Sequence, residues 1–213
     1  MRLINRKPGR LLALFLLALP FAAVLIAYAI ASDIRRAENP KDKLLPAPAA
    51  IAQTAERLVT EPDRRSDRIL FWTDTAVSLQ RLAIGVGVAA AIGLIVGLGI
   101  GLLPYMRSMF AGFVNVVSMV PPLAVLPILF ITFGLGESSK IALIAIGVTP
   151  FLIRDLSQRV LEIPAEQMVK AQTLGASSLV VALRVALPQV LPRLVQAVRL
   201  SLGPAWLFLI AAE

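Results

Sequence analysis

The sequence predicts an all-α, polytopic transmembrane helix bundle, and three observations carry that expectation. Of the 213 residues 58% are hydrophobic, with a mean hydropathy of +0.81, more apolar than soluble domains usually are. Residues 11–32, 82–106 and 108–136 contain no charged side chain. Each run is longer than the ~20 residues a helix needs to cross ~30 Å of hydrocarbon. The 21 Lys and Arg against 13 Asp and Glu gather at the ends of these runs and between them, the pattern of loops retained in the cytoplasm. They do not line one face interleaved with aromatics, so the lipid bilayer is the expected surrounding and nucleic acid is not an expected partner.

Composition also excludes chemistry. There is no histidine and no cysteine. Imidazole is therefore missing as a neutral-pH acid–base group and as a metal ligand. Thiolate is missing as a nucleophile, a metal ligand and a disulfide partner. Neither a G-x-S-x-G elbow nor a membrane-buried carboxylate pair is present. No catalytic, metal-binding or cofactor-binding residue is expected, and no enzymatic activity.

The N-terminal residues 1–10 carry Arg2, Arg6, Lys7 and Arg10 without an acid, which predicts a cytoplasmic start. Residues 11–32 follow as a first transmembrane helix, kinked at Pro20. Ala29-Ile30-Ala31 has the form of a signal cleavage site. The apolar run exceeds the ~7–15 residues of a signal-peptide core, so an uncleaved span is expected. Residues 33–81 hold nine basic and eight acidic side chains and are expected as an extracytoplasmic segment. Within it Pro46 and Pro48 form turns ahead of a short amphipathic helix, with Ile51, Ala55, Leu58 and Val59 on one face resting on the membrane.

Residues 82–213 are expected to form the core. Gly85, Ala89, Gly93, Gly97 and Gly101 recur every four residues, a small-residue stripe that lets two helix backbones approach closely in lipid. Whether the partner helix belongs to this chain or another is open. The next apolar run holds Asn115, Ser118 and Met119 beside Pro121, Pro122 and Pro127, which interrupt a helix and free backbone carbonyls. Two readings stand: a kinked helix packed in the bundle, or a translocation path lined by Asn115, Ser118, Met119, Pro121 and Pro122. FGLGESSK at 133–140 lacks the Gly-Lys-Ser/Thr ending of a phosphate loop. It predicts a turn, with Ser138 or Ser139 capping the next helix. No nucleotide site is encoded, so any ATP would be bound by another polypeptide.

Residues 141–153 are uncharged for only 13 positions and span a membrane only with help from their flanks. Threading from an inside N-terminus puts residues 104–108 with Arg107 inside and 134–139 outside. Residues from 154 to about 192 then fall inside, where Arg154, Arg159, Lys170, Arg184 and Arg193 outnumber Asp155, Glu162 and Glu166. No arginine falls within an expected span where it would pair with an anion.

This last region begins with Pro164 at the first turn of a helix running through Glu166, Met168, Lys170 and Leu174, with Gly175 as its left-handed terminator. Ser177 or Ser178 caps a second short helix carrying Leu179, Leu183 and Leu187, which Pro188 closes. Two short helices with a glycine elbow at the cytoplasmic surface result, which by composition alone need only connect spans.

The elbow resembles the cytoplasmic loop of ABC-importer inner-membrane permeases, whose pattern is E-A-A-x3-G-x9-I-x-L-P. Ala171, Gly175, Val185, Leu187 and Pro188 fall at its spacing, whereas Val169 and Lys170 replace its Glu-Ala; Glu166 lies one turn earlier. LLPAPAAI, SLQR, VPPLAVLP, FGLGESSKI, RVALPQVLP and SLGPAWLFLIAAE extend the resemblance from about residue 44 onward, to the nitrate/sulfonate/taurine/bicarbonate branch.

The resemblance implies a permease fold and a translocation path for a small solute, such as nitrate, a sulfonate, taurine or a bicarbonate-like anion. It implies a second permease copy, two cytoplasmic ABC ATPase subunits that bind ATP, an extracytoplasmic substrate-binding protein, and a place in the bacterial inner membrane. Glu166, Val169, Lys170, Ala171, Leu174, Gly175, Ala176, Val185, Leu187 and Pro188 would form the ATPase-docking loop. Family members also continue beyond the point corresponding to Glu213, so a partial sequence short of about one span is expected. Two rivals stay open. A stand-alone channel or secondary transporter would use Asn115 and Ser118 but lacks an ionisable residue deep in an expected span. A membrane scaffold would assemble through the glycine stripe.

Overall fold

The computed structural model describes residues 8–39, 44–63 and 67–213. The basic residues of the 1–7 stretch lie outside these. Among the described residues there is no β-strand, and the chain divides into two compact units, Met1–Asp74 and Thr75–Glu213.

In the first unit α1 (Arg10–Glu38) passes through Pro20 and continues six residues beyond the apolar run, ending with Arg35 and Arg36 in its last turn. Cations at a helix C-terminus complement its dipole, which explains the extension past residue 32. Its apolar side chains are exposed on all sides, Leu11 at 85% and Phe21 at 69%, as befits a helix solvated by lipid. Ser32 is fully buried and donates to the Leu45 and Pro46 carbonyls at 3.0 and 3.2 Å, and the Tyr28 hydroxyl donates to Pro46 at 2.8 Å. Next, α2 (Pro48–Thr60) starts with Pro48 in its first turn and not in a preceding turn. The missing proline N–H costs nothing there. No residue of α2 is buried.

The second unit is built on α3 (Leu70–Leu102), which opens twelve residues before the uncharged run. The segment 33–81 thus ends in the first turns of this helix, which Asp74 and Arg81 masked in the hydropathy pattern. A single residue, Leu103, separates α3 from α4 (Pro104–Val117), so residues 104–108, expected inside, form the first turn of a helix. Arg107 explains how so tight a junction is satisfied. Its guanidinium donates to the Ile100 carbonyl at 3.2 Å and to that of Gly101, capping the otherwise unpaired end of α3.

The glycine stripe packs against α6 (Glu137–Leu161). Gly85, Gly93, Gly97 and Gly101 face Ile144, Leu152, Leu156 and Val160, each so closely that an added Cβ would lie 2.4–3.0 Å from a side-chain carbon. Ala89 is fully buried in the same layer with Val148. Every glycine differs from its partner by 59 positions, a constant register that only parallel helices keep. Two parallel spans in one chain require an odd number of crossings between them. The intervening segment consists of α4, a 3₁₀ turn at Pro122–Val125 and α5 (Leu126–Phe133), with the two halves bent by 83°. It therefore crosses once as a broken span, since a re-entrant loop would make α3 and α6 antiparallel.

The turn before α6 has Gly134 at φ +75°, and α6 is preceded by Gly136 without a side-chain cap. Ser138 and Ser139 lie inside the helix, not at its cap. Ser139 is buried and donates back to the Gly136 carbonyl at 2.8 Å. The short 141–153 run spans because α6 recruits both flanks, giving 25 residues. Its other side receives α9 (Leu187–Ala212) antiparallel, with Val160 beside Val190, Gly147 against Phe208 and Leu143 beside Ala212. Leu82, Val86, Ile144, Leu152, Ala205 and Leu209 join the three helices in one core.

This arrangement brings the Ser78–Arg81 turn of α3, the start of α6 and the end of α9 to one rim. There Arg81 pairs with Glu137 and, at 2.5 Å, with Glu213, whose Oε1 also accepts from Ser78 at 3.1 Å. The two carboxylates are 60% and 39% exposed, so water screens the pairing and its worth stays at about 1 kcal/mol or less. Arg81→Gln should lower the thermal midpoint of the detergent-solubilised protein by no more than a few degrees at low salt, and less at high salt. A large, salt-independent drop would contradict a screened rim contact.

Candidate functional site

After α6 the chain turns at the opposite rim into α7 (Ala165–Thr173), with Pro164 at its N-cap and not within its first turn. Glu166 sits in the first turn, favourable to the helix dipole. The C-terminus is a Schellman closure: Ala176 N–H donates to Ala171 at 3.0 Å and Gly175 N–H to Gln172 at 2.9 Å. Gly175 adopts φ +86°, which the closure demands and other residues resist. Ser177 then caps α8 (Ser178–Val181) by accepting from the Val180 amide at 3.4 Å.

Pro188 does not close the second helix. One helical path runs from α8 through a π turn at Ala182–Ala186 into α9. A proline at 188 cannot donate to the Arg184 carbonyl, and the π turn absorbs that break by shifting the register, with Leu187 N–H reaching Ala182. Gln189 covers the join by donating to the Val185 carbonyl at 2.8 Å and to Gln167 of α7 at 3.0 Å. The stretch expected as a loop over about 154–192 thus contains the end of α6, the elbow and the start of a span.

The elbow has two faces. Met168, Gln172, Leu179 and Ala182 turn toward the end of α3, where with Leu98 and Leu102 they line a cavity of about 400 Å³. Ala171, Ala176, Val185 and Leu187 are half-buried. Glu166, Lys170, Gly175 and Pro188 are exposed, as are Val169 at 55% and Leu174 at 88%. At 88% exposure Leu174 has almost no packing role within the chain.

The broken span places the other predicted residues against α6. Asn115, Met119 and Pro121 are exposed and Ser118 and Pro122 half-buried. Ser118 and Pro122 line a cavity of about 270 Å³ with Gly147, Pro150 and Arg154. Asn115 lines a neighbouring one of about 260 Å³ with Arg107, Arg154, Ser157 and Gln158. Arg154 borders both. It was expected at the start of a cytoplasmic stretch; α6, which is long and apolar enough to cross a membrane, continues through it to Leu161. The signal was available, because a 13-residue apolar run must borrow flanking residues to cross.

Residues 83–213 match the family described as "Binding-protein-dependent transport system inner membrane component". The chain is 36% identical over 163 residues to the taurine transport system permease protein TauC of Escherichia coli, covering 76% of this chain and 59% of that protein. It is 35% identical over 148 residues to the bicarbonate transport system permease protein CmpB of Synechococcus elongatus, covering 69% and 52%. It is 32% identical over 169 residues to the nitrate import permease protein NrtB of Leptolyngbya laminosa, covering 78% and 60%. The chain thus spans between about half and three-fifths of the length of these relatives. A chain of the inward-facing MetNI methionine ABC transporter has the same fold, with a TM-score of 0.57 at 22% identity over 65% of this chain and 72% of that one.

Proposed function

The chain belongs to the family of binding-protein-dependent transport system inner membrane components, and on that premise we propose that it is the membrane-spanning permease of an ATP-driven importer for a small solute bearing an oxyanion group. ATP is held by a separate cytoplasmic ATPase. A second copy of the permease completes the pore, and an extracytoplasmic binding protein delivers the solute, in the range from nitrate and bicarbonate to taurine and other sulfonates.

The observation that carries this reading is the elbow: an exposed, glycine-terminated corner bearing Glu166, Val169, Lys170 and Leu174, continuous through the π turn with a core span. A force applied at the corner travels along one helix into the bundle. An ATPase can shift the pore between two states only through contacts that differ between them, and this corner supplies such a contact. Orientation follows from charge. The elbow rim carries Arg107, Arg159, Lys170, Arg184 and Arg193, which supports a cytoplasmic elbow and N-terminus by the positive-inside rule.

Affinity purification of the full-length protein from its own membranes should bring down an ABC ATPase, and uptake into proteoliposomes should require that ATPase and ATP. Uptake by the permease without any ATPase would refute the reading in favour of a self-sufficient channel or carrier.

A further inference from the structure

We propose that Arg154 is an anion-binding residue inside the membrane, reached from the broken span and shared by the two cavities between α4 and α6. The proposal rests on the permease reading above and names the contact that selects a solute bearing an oxyanion group.

Depth comes first. Arg154 lies 17 residues into α6, roughly 25 Å from its Glu137 end and about 10 Å from the other. The parallel register with α3 sets it level with Ile95, within the uncharged 82–106 run. Measured from the Glu137 end against ~30 Å of hydrocarbon, Arg154 lies about 5 Å inside the opposite face, next to the rim residue Arg107. A charge there is partly desolvated, and it is a functional candidate because it faces a cavity and not lipid. Among the described residues no carboxylate is within ion-pair distance of Arg154, while its neighbour Asp155 approaches Arg159 at 3.9 Å.

Surroundings fix the sign of the ligand. Arg154 borders the cavity of about 270 Å³ beneath Ser118 and Pro122 and the one of about 260 Å³ beside Asn115. The second also holds Arg107, and neither is lined by an acid. Ser118 and Ser157 spend their hydroxyl protons on the Asn115 and Arg154 carbonyls. Arg154 supplies a planar fork of N–H donors that matches oxyanion geometry, and the Asn115 and Gln158 amides add neutral donors beside it. The volumes fall below the ~300–1,000 Å³ of drug-sized sites and suit an ion or a short sulfonate.

The test uses the full-length permease assembled with its ATPase and binding protein in proteoliposomes, with labelled nitrate, bicarbonate and taurine as probes. Arg154→Gln should reduce uptake of the carried solute by about ten- to a hundredfold, the worth of one charge-assisted contact, while ATPase copurification is unchanged. The 213 residues lack cysteine, so Arg154→Cys gives a second, reversible arm. Modification by a cationic methanethiosulfonate should restore uptake to within about threefold of wild type, whereas an anionic one should leave it low. Uptake by Arg154→Gln within twofold of wild type, or equal recovery with both reagents, overturns the proposal and leaves the permease reading intact. Loss of the ATPase together with uptake would make Arg154 a structural residue and also overturn it. Taurine is a zwitterion whose sulfonate is the group Arg154 would meet; if the wild-type assembly carries none of the three solutes, both the oxyanion assignment and the role of Arg154 fall.

Discussion

Gly101→Ala should destabilise the bundle strongly, while Gly87→Ala on the same helix should leave it unchanged or slightly more stable. Both replacements add one methyl to α3, and intrinsic helix preference favours both by about 0.5–1 kcal/mol. What separates them is the room available. A Cβ at Gly87 meets nothing within 4 Å, whereas at Gly101 it would lie 2.4 Å from the Val160 Cβ and 2.6 Å from Cγ1. Val160 is 3% exposed, and its branched side chain is fixed at χ1, so it cannot swing aside. The helices must separate, at the roughly 1–3 kcal/mol typical of overpacking a tight interior. In lipid this contact area is the main source of helix–helix attraction, since apolar burial contributes little there. Gly93→Ala, facing the Leu152 Cβ at 2.7 Å, should rank next, and Gly97→Ala at 3.0 Å last. Thermal unfolding midpoints in a mild detergent would check the order. Equal midpoints for the Gly87 and Gly101 variants would show that α3 and α6 do not meet as described.

The same contact illustrates what the sequence encodes and what it does not. A four-residue recurrence of small side chains is a property of one helix, so the stripe could be read directly. Its partner is a property of two helices 59 positions apart, and no local pattern specifies it. Charges at helix ends misled in a consistent direction. Asp74 and Arg81 hid the first turns of α3, Lys140 and Arg154 made α6 look too short, and Arg107 ended an uncharged run within the first turn of α4. Each such residue is tolerated because it has a local solution: an ion-paired rim for Arg81, carbonyl capping for Arg107, a cavity for Arg154. Gly175 and Ser177 were legible because left-handed closure and serine capping are single-residue requirements. Pro188 was misread as a stop because the π turn that accommodates it, and the Gln189 bonds that cover it, depend on packing against α7.

At the elbow, Leu174→Asp should sever the ATPase while leaving the permease itself as stable as before. Leu174 is 88% exposed, so within the chain its side chain contributes almost nothing to folding, and a carboxylate there is solvated freely. In a docked complex the same side chain would be withdrawn from water. Burying a leucine is worth about 1.5–3 kcal/mol, and a buried unpaired carboxylate adds its desolvation cost. A loss of at least tenfold to a hundredfold in ATPase affinity follows, measurable by titrating purified ATPase onto permease in nanodiscs. Gly175 tests the corner that holds Leu174 in place. No atom would lie within 4 Å of a Cβ at 175, so substitution acts through φ +86° alone and not through a clash. Gly175→Asn, which accepts the left-handed region, should dock and couple nearly as wild type. Gly175→Val should cost at least about 1–2 kcal/mol locally, open the Ala176–Ala171 closure and weaken docking without unfolding the spans. This contrast isolates geometry from surface chemistry: the valine is apolar and the asparagine polar, yet the polar variant is expected to bind. Matched ATPase affinities for the asparagine and valine variants, or wild-type affinity for Leu174→Asp, would remove the elbow from the coupling interface.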